Sequence, residues 1–389
     1  MTIPTSIPST GPWAVIHRNA ISHNLSWLRQ RLYHCSPGAP VRVWAVVKAD
    51  AYGHGLTHTV PALQQADGLG VTTPDDVRRL RRQGWQKPIL LLSASGVRAE
   101  EICDPSLGEL HLVIDEPSQL DQLERLARLP ESRRPTRLNT WLRYAGRLGN
   151  LGFDVTEYAP AFERLLALKT KGLVVEAGHL HHYAGAEDAD ALRAERNEFA
   201  TVVGRLPGPF STGNSAALCG SLPETLRQEG HWLRCGLMLY GASALPGTTG
   251  AQLGLRPAMS VHARLVAVRY LKAGQNVGYG DTFQTQRDTW VGTACIGYSH
   301  GVPRQLWEQG HALVGPSGRP VPYAGRVAMD CLSLDLGPNA CEQVGDIVTL
   351  WGHAPNGAAL PVETVAASCS TIAAELFTGL TSRLPLISA

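Results

Sequence analysis

At 389 residues, 44% of them hydrophobic and 17% charged, the chain is long enough for a large core and for two domains. Its formal charge of +2, from 35 basic residues interleaved with 33 acidic ones, gives no electrostatic ground for binding nucleic acid or an anionic membrane. No apolar stretch reaches the roughly 20 residues of a membrane helix, and Met1 to Trp13 lack the basic start and apolar run of a signal peptide, so a cytoplasmic location is expected.

From Val41 to about Gly241, short apolar runs alternate with segments of helical spacing, the pattern of a parallel sheet with crossover helices. The predicted strands are Val41 to Val47, Gly68 to Val71, Ile89 to Leu92, Leu110 to Ile114, Arg137 to Leu142, Leu173 to His179, Phe210 to Thr212 and Leu233 to Tyr240. Pro74 to Gln83 and Glu116 to Arg128 read as helices, each with a proline where helix starts tolerate one. Eight such strands predict a closed (β/α)8 barrel of the TIM type, whose chemistry gathers at the carboxyl ends of the strands.

After Tyr240 the texture changes. Gly241 to Gly254 is a linker rich in Gly, Ala, Pro and Thr, and the runs beyond it alternate at period two: Val261 to Val268, Trp290 to Ile296, Arg326 to Leu336 and Asp346 to Trp351. That alternation predicts a mostly antiparallel β domain. The division is therefore 1–245 for the barrel and 246–389 for the β domain, with about the first 12 residues expected to pack on the latter. The eight cysteines are scattered without a C-x-x-C pair, which predicts reduced thiols rather than a zinc site or a disulfide framework.

The first predicted strand ends in Val46-Val47-Lys48-Ala49-Asp50-Ala51-Tyr52-Gly53-His54-Gly55. An ammonium at the end of an apolar strand costs desolvation energy, and desolvation lowers its pKa toward a nucleophilic amine able to bond an aldehyde. The run resembles the pyridoxal-phosphate attachment motif of bacterial alanine racemases, with Asp50 where Asn is common. The resemblance continues through Asn214-Ser215-Ala216-Ala217, Leu233-Arg234-Cys235-Gly236-Leu237-Met238-Leu239-Tyr240-Gly241, Gly297-Tyr298 and Gly325-Arg326-Val327-Ala328-Met329-Asp330.

The resemblance implies a pyridoxal-phosphate-dependent isomerase that interconverts L- and D-alanine for cell-wall peptidoglycan, working as a homodimer with sites completed in trans. A racemase needs an acid/base group on each face of the substrate α-carbon. Lys48 is one candidate and Tyr279, in the β domain, is the other. A free phenol has a pKa of about 10, so Tyr279 needs a cationic or hydrogen-bonding neighbour to act near neutrality. Lys48, Tyr52, His182, Ser215, Arg234, Gly236 and Leu237 are the implied cofactor contacts. Arg234 is either the arginine facing the ring nitrogen or a salt-bridged strand arginine. Met329 and Asp330 are implied to meet the substrate from the partner subunit, and Tyr298 to line the entry channel. No metal is expected, because alternate residues among His179, His181 and His182 point to opposite faces.

Three departures from the family pattern stand out. The usual arginine that steadies the substrate carboxylate falls on Asn150 in the preferred alignment of Leu138 to Phe153, or on Arg147 in the other. Ala374 takes the place of a tyrosine that touches the cofactor phosphate, and His300 replaces an acid at the site entrance, which alters the charge and pH response expected there. Losing polar anchors enlarges the pocket, so a serine or broader amino-acid racemase is the alternative expectation, and a noncatalytic pyridoxal-phosphate protein a more distant one.

Overall fold

The computed structural model describes residues 11–35, 41–93, 97–134, 138–220 and 231–389. Strand β1 (Trp13–Ile16) precedes eight parallel strands that close into a barrel: β2 (Arg42–Val46), β3 (Gly68–Val71), β4 (Ile89–Leu91), β5 (Leu110–Ile114), β6 (Leu138–Tyr144), β7 (Glu176–His181), β8 (Phe210–Thr212) and β9 (Trp232–Cys235). Their apolar runs are continuous because both faces are covered, one by helices and the other by the barrel interior.

Side chains that point inward recur at every second residue of a strand. Trp44, Leu90, Val113, Trp141, Leu180 and Trp232 form one such layer as a separate buried cluster. Trp44 stacks on Trp232 with ring centroids 4.0 Å apart. Room for these indoles comes from glycine: a Cβ at Gly68 would stand 2.1 Å from the Trp44 ring. This layer is the floor beneath the mouth. Two residues further along the same strands come Val46, Arg143, His182 and Arg234.

The second sheet is built on β10 (Met259–Leu271), which pairs antiparallel with Thr289–Ala294 and with Ile347–His353. The chain's start joins it. β1 pairs antiparallel with β10, Trp13 opposite His262, and parallel with Leu386–Ser388 near the carboxyl end. Residues 1–10, on which the packing of the amino-terminal segment was expected, lie outside the described residues. The linker is pinned by one carboxylate: Glu363 Oε1 accepts the backbone N–H groups of Ser243 and Gly250, both at 2.7 Å.

Several predicted strand limits move. The eighth strand stops at Cys235, because Gly236 (φ −116°, ψ −97°) turns the chain and Leu237–Tyr240 coils into a 3-10 turn. β6 runs on to Tyr144 and β7 to His181, past their predicted ends at Leu142 and His179; Arg137 itself is not among the described residues. Arg326 to Cys331 is a loop, and only Leu332–Gly337 pairs as a strand. Among the described residues no helix is long and apolar enough to cross a membrane.

Candidate functional site

The carboxyl ends of the barrel strands surround a cavity of about 390 Å³. Lys48 enters it from the end of β2. The backbone after Lys48 takes a left-handed turn, with Ala49, Asp50, Ala51 and Tyr52 all at φ between 50° and 58°. For L-residues this costs about 1–2 kcal/mol each, and such strain persists only where the surroundings over-determine it. The restraints are visible: Asp50 Oδ1 accepts from Arg79 Nη2 at 2.9 Å and from the Leu56 N–H at 3.2 Å, and Gly53 and Gly55 donate back to the Ala49 and Asp50 carbonyls. Asp50, the departure from the usual Asn, thus gains an ion pair. Lys48 is exposed toward the cavity; desolvation by its surroundings, and then the nearby Arg234 cation, lower its pKa from the ordinary value.

Arg234, on β9, is buried, and its Nη atoms donate to the Ser211 carbonyl (2.7 Å), the Ser211 hydroxyl (2.9 Å), the His181 carbonyl (2.7 Å) and His182 Nδ1 (3.4 Å). None of these partners is a carboxylate, which removes the salt-bridged reading. Burial, and then the like charge of Arg143, bring its pKa down to about 10, so the guanidinium remains protonated near neutrality. His182 lines the cavity with its surface exposed, and desolvation by the protein around it, followed by the cations Arg234, Arg143 and Lys48, lowers its pKa to about 3. A neutral ring that accepts at Nδ1 carries its proton on Nε2. His179 and His181 point the other way: the His179 ring stacks 4.2 Å from Phe162, and His181 Nε2 lies 3.3 Å from Glu195.

Opposite these cations, Ser215 Oγ accepts the N–H groups of Gly236 and Met238, both at 3.4 Å, at the base of a small cradle that Leu237 also lines. Tyr52 reaches in beside it, stacked on Tyr240 at 5.0 Å, and burial raises its pKa to about 12, so its hydroxyl stays a donor. The absence of a side chain at Gly236 makes this possible: a Cβ there would stand 2.7 Å from the Tyr52 hydroxyl. Ala374 lines the same cavity.

The β-domain candidates lie elsewhere in the single chain. Tyr279 is 69% exposed, Met329 53% and Tyr298 41%, and none lines the cavity. They nevertheless gather on one segment. The Tyr279 turn packs beside Gly325 and Arg326, while Tyr298 and Ser299 donate their N–H groups to the carbonyls of Ala328 and Met329. Asp330 accepts from Ser299 Oγ (2.7 Å) and pairs with Arg383 (2.9 Å). His300 stands where the family has an acid. It is buried, its Nδ1 accepts the Gly297 N–H at 3.2 Å, and burial and then Arg383 lower its pKa, so it brings no positive charge to an entrance at neutral pH.

The arginine question receives a third answer. Asn150 is exposed and outside the cavity lining, and Arg147 turns toward Glu195 at 4.0 Å. Arg143 lines the cavity instead. Counting residues along the Gly-rich run points past this residue to Asn150 or Arg147, whereas β6 extends two residues beyond Leu142 and period-two alternation from Trp141 turns Arg143 inward. That alternation was the available signal.

The family model described as "Alanine racemase, N-terminal domain" matches residues 16–244, and "Alanine racemase, C-terminal domain" matches residues 258–388. A curated relative named alanine racemase from Bordetella avium is 36% identical, covering 96% of this chain and 98% of its own. One from Escherichia coli O6:H1, named "Alanine racemase, biosynthetic", is 38% identical, covering 96% and 97%. Among solved structures, the biosynthetic alanine racemase of Pseudomonas aeruginosa superposes with a TM-score of 0.85 at 34% identity, covering 98% of this chain and 99% of that one.

Proposed function

Because the chain belongs to the alanine racemase family, we propose that its Lys48 and the partner subunit's Tyr279 divide the two proton transfers by which it interconverts L- and D-alanine with pyridoxal phosphate. The observation that carries this is the Lys48 amine. It is held by a restrained left-handed turn at the cavity, where desolvation and then the Arg234 cation lower its pKa in the direction a proton acceptor needs.

The residues present fit the cofactor. Lys48 supplies the attachment amine, Ser215, Gly236, Leu237 and Tyr52 suit a phosphate dianion, and Arg234 and His182 would flank the ring. Bound there, pyridoxal phosphate supplies the electron-withdrawing ring that acidifies the substrate α-proton. Arg234 keeps its own proton, since its donors are fixed on carbonyls and a hydroxyl. Such a neighbour does not protonate the ring, and the weaker electron sink limits side reactions. Lys48 then exchanges the α-proton on one face of the substrate and the partner's Tyr279 on the other.

The reading in trans, and with it a homodimer, rests on Tyr279, Tyr298 and Met329, which are exposed and do not line the cavity of their own chain. Met329 and Asp330 would approach the substrate from the same side. We place the division between the barrel and the β domain at 245/246, and the enzyme in the cytoplasm supplying D-alanine for peptidoglycan; the relative named biosynthetic supports a biosynthetic role. Alanine is the favoured substrate over serine, because Arg143 keeps a guanidinium at the cavity that the Asn150 alignment had removed.

The test is Tyr279→Phe in enzyme supplied with pyridoxal phosphate, assayed on L-Ala, L-Ser, L-Lys and L-Arg. The parent protein should prefer alanine, and the variant should keep the cofactor's long-wavelength absorbance while losing racemization. A parent that takes up no cofactor, or a variant that racemizes at the parent rate, overturns the proposal.

A further inference from the structure

The cavity concentrates positive charge. Lys48, Arg143 and Arg234 line it, and among the described residues no Asp or Glu does. The three cations are not equivalent. Lys48 is committed to the cofactor in the reading above, and Arg234 places its Nη donors on Ser211, His181 and His182. Arg143 is different: its Nε is buried without a hydrogen-bond partner among the described residues. Leaving a buried donor of a charged group unmet is costly, and the rest of the guanidinium, tied to no side chain or carbonyl among the described residues, lines the cavity where a ligand can meet it. A guanidinium presents its donors as a planar fork that matches a carboxylate or another anionic oxygen.

We propose that Arg143 is the positioning residue that receives an anionic oxygen of the bound reactants, the substrate carboxylate or the cofactor's ring oxygen, in the role for which this chain has only an exposed Asn150. The proposal rests on the racemase reading. It adds that the guanidinium has moved from the loop after β6 to the last turn of the strand itself, where Trp141 below and Leu180 across from it (paired with Arg143 in register) fix its direction. Burial lowers the Arg143 pKa from its ordinary value, and the Asp115 carboxylate, one residue past β5, opposes that shift.

The test uses the parent, Arg143→Gln, Arg143→Lys and Asn150→Ala. Two constants are measured for each: pyridoxal phosphate dissociation from the apo protein, by absorbance, and propionate dissociation from the loaded enzyme, by competition and by perturbation of that absorbance. Removing a charge-assisted hydrogen bond weakens binding roughly tenfold or more, so Arg143→Gln should raise at least one constant by about that factor. A loss confined to propionate assigns the oxygen to the substrate, and one confined to the cofactor titration assigns it to the ring. Arg143→Lys, which keeps the charge but not the fork, should recover part of the loss and serves if the glutamine variant does not fold. Asn150→Ala should change either constant less than Arg143→Gln does. Arg143→Gln within twofold of the parent on both constants, or a larger effect from Asn150→Ala, overturns the assignment. A parent that fails to load cofactor overturns the racemase reading instead.

Discussion

Placing a methyl group at Gly236 tests the cradle directly. In Gly236→Ala the new Cβ would stand 2.7 Å from the Tyr52 hydroxyl and 3.2 Å from the ring carbon that bears it, against 3.4 Å for ordinary contact. Tyr52 cannot retreat. It is stacked on Tyr240, which is itself held by a 3.0 Å hydrogen bond from its hydroxyl to the Val46 carbonyl and packs 4.5 Å from His54. The phenol is therefore driven into the space assigned to the phosphate. Overpacking of this kind costs about 1–3 kcal/mol, which corresponds to roughly five- to hundredfold weaker cofactor binding. In a Tyr52→Phe background the hydroxyl is gone and the remaining contact is short by only a few tenths of an ångström, so adding Gly236→Ala should cost less than about threefold. Equilibrium titration of the four apo proteins with pyridoxal phosphate measures the cycle. Equal penalties for Gly236→Ala in both backgrounds would refute the reasoning, because the clash would then not run through the Tyr52 hydroxyl.

Arg234→Gln should raise the Lys48 pKa toward its ordinary value, since a like charge is removed while burial remains; the pH dependence of cofactor attachment to the apo protein checks this, and an unchanged or lower inflection contradicts it. His54 and His231 are buried with pKa values of about 4, below their ordinary 6.5. Between those values the unfolded chain binds the protons and the native one does not, so stability should fall as pH drops from about 6.5 to about 4, by on the order of 1 kcal/mol per pH unit for each group. Denaturant midpoints across that window should show the decline, and His54→Asn should flatten it. His300→Ala leaves the Gly297 N–H without its 3.2 Å acceptor in a buried turn, and a stability loss of about 1–3 kcal/mol by chemical denaturation is expected.

The barrel was legible because strands covered on both faces read as unbroken apolar runs, and the β domain because its strands alternate. Errors fell where the mouth begins. Functional polar residues interrupt the apolar run before the strand ends, so Arg143 and Tyr144 on β6 and His181 on β7 were cut off. The opposite error came from Leu237–Tyr240, whose apolar letters imitate a strand while the Gly236 backbone turns away. Lys48 and Arg234 could be assigned to the barrel mouth because each lies near a strand end, where order along the chain dictates position, while Tyr52 and Ser215 were reached through the family resemblance. Asn150 could not, since a glycine-rich loop fixes spacing without fixing direction. The unpaired Arg143 Nε depends on what neighbouring strands offer, and no single run of sequence contains that information.

The division of labour between Lys48 and the partner's Tyr279 is tested most directly by mixing two inactive chains. Lys48→Ala and Tyr279→Phe proteins, unfolded together at equal amounts and refolded with pyridoxal phosphate, form mixed dimers in which one site regains both intact residues if the bases come from different subunits. Random pairing then restores about a quarter of the parent racemase activity. No activity above that of the separately refolded variants, with mixed dimers shown to have formed, would contradict the account.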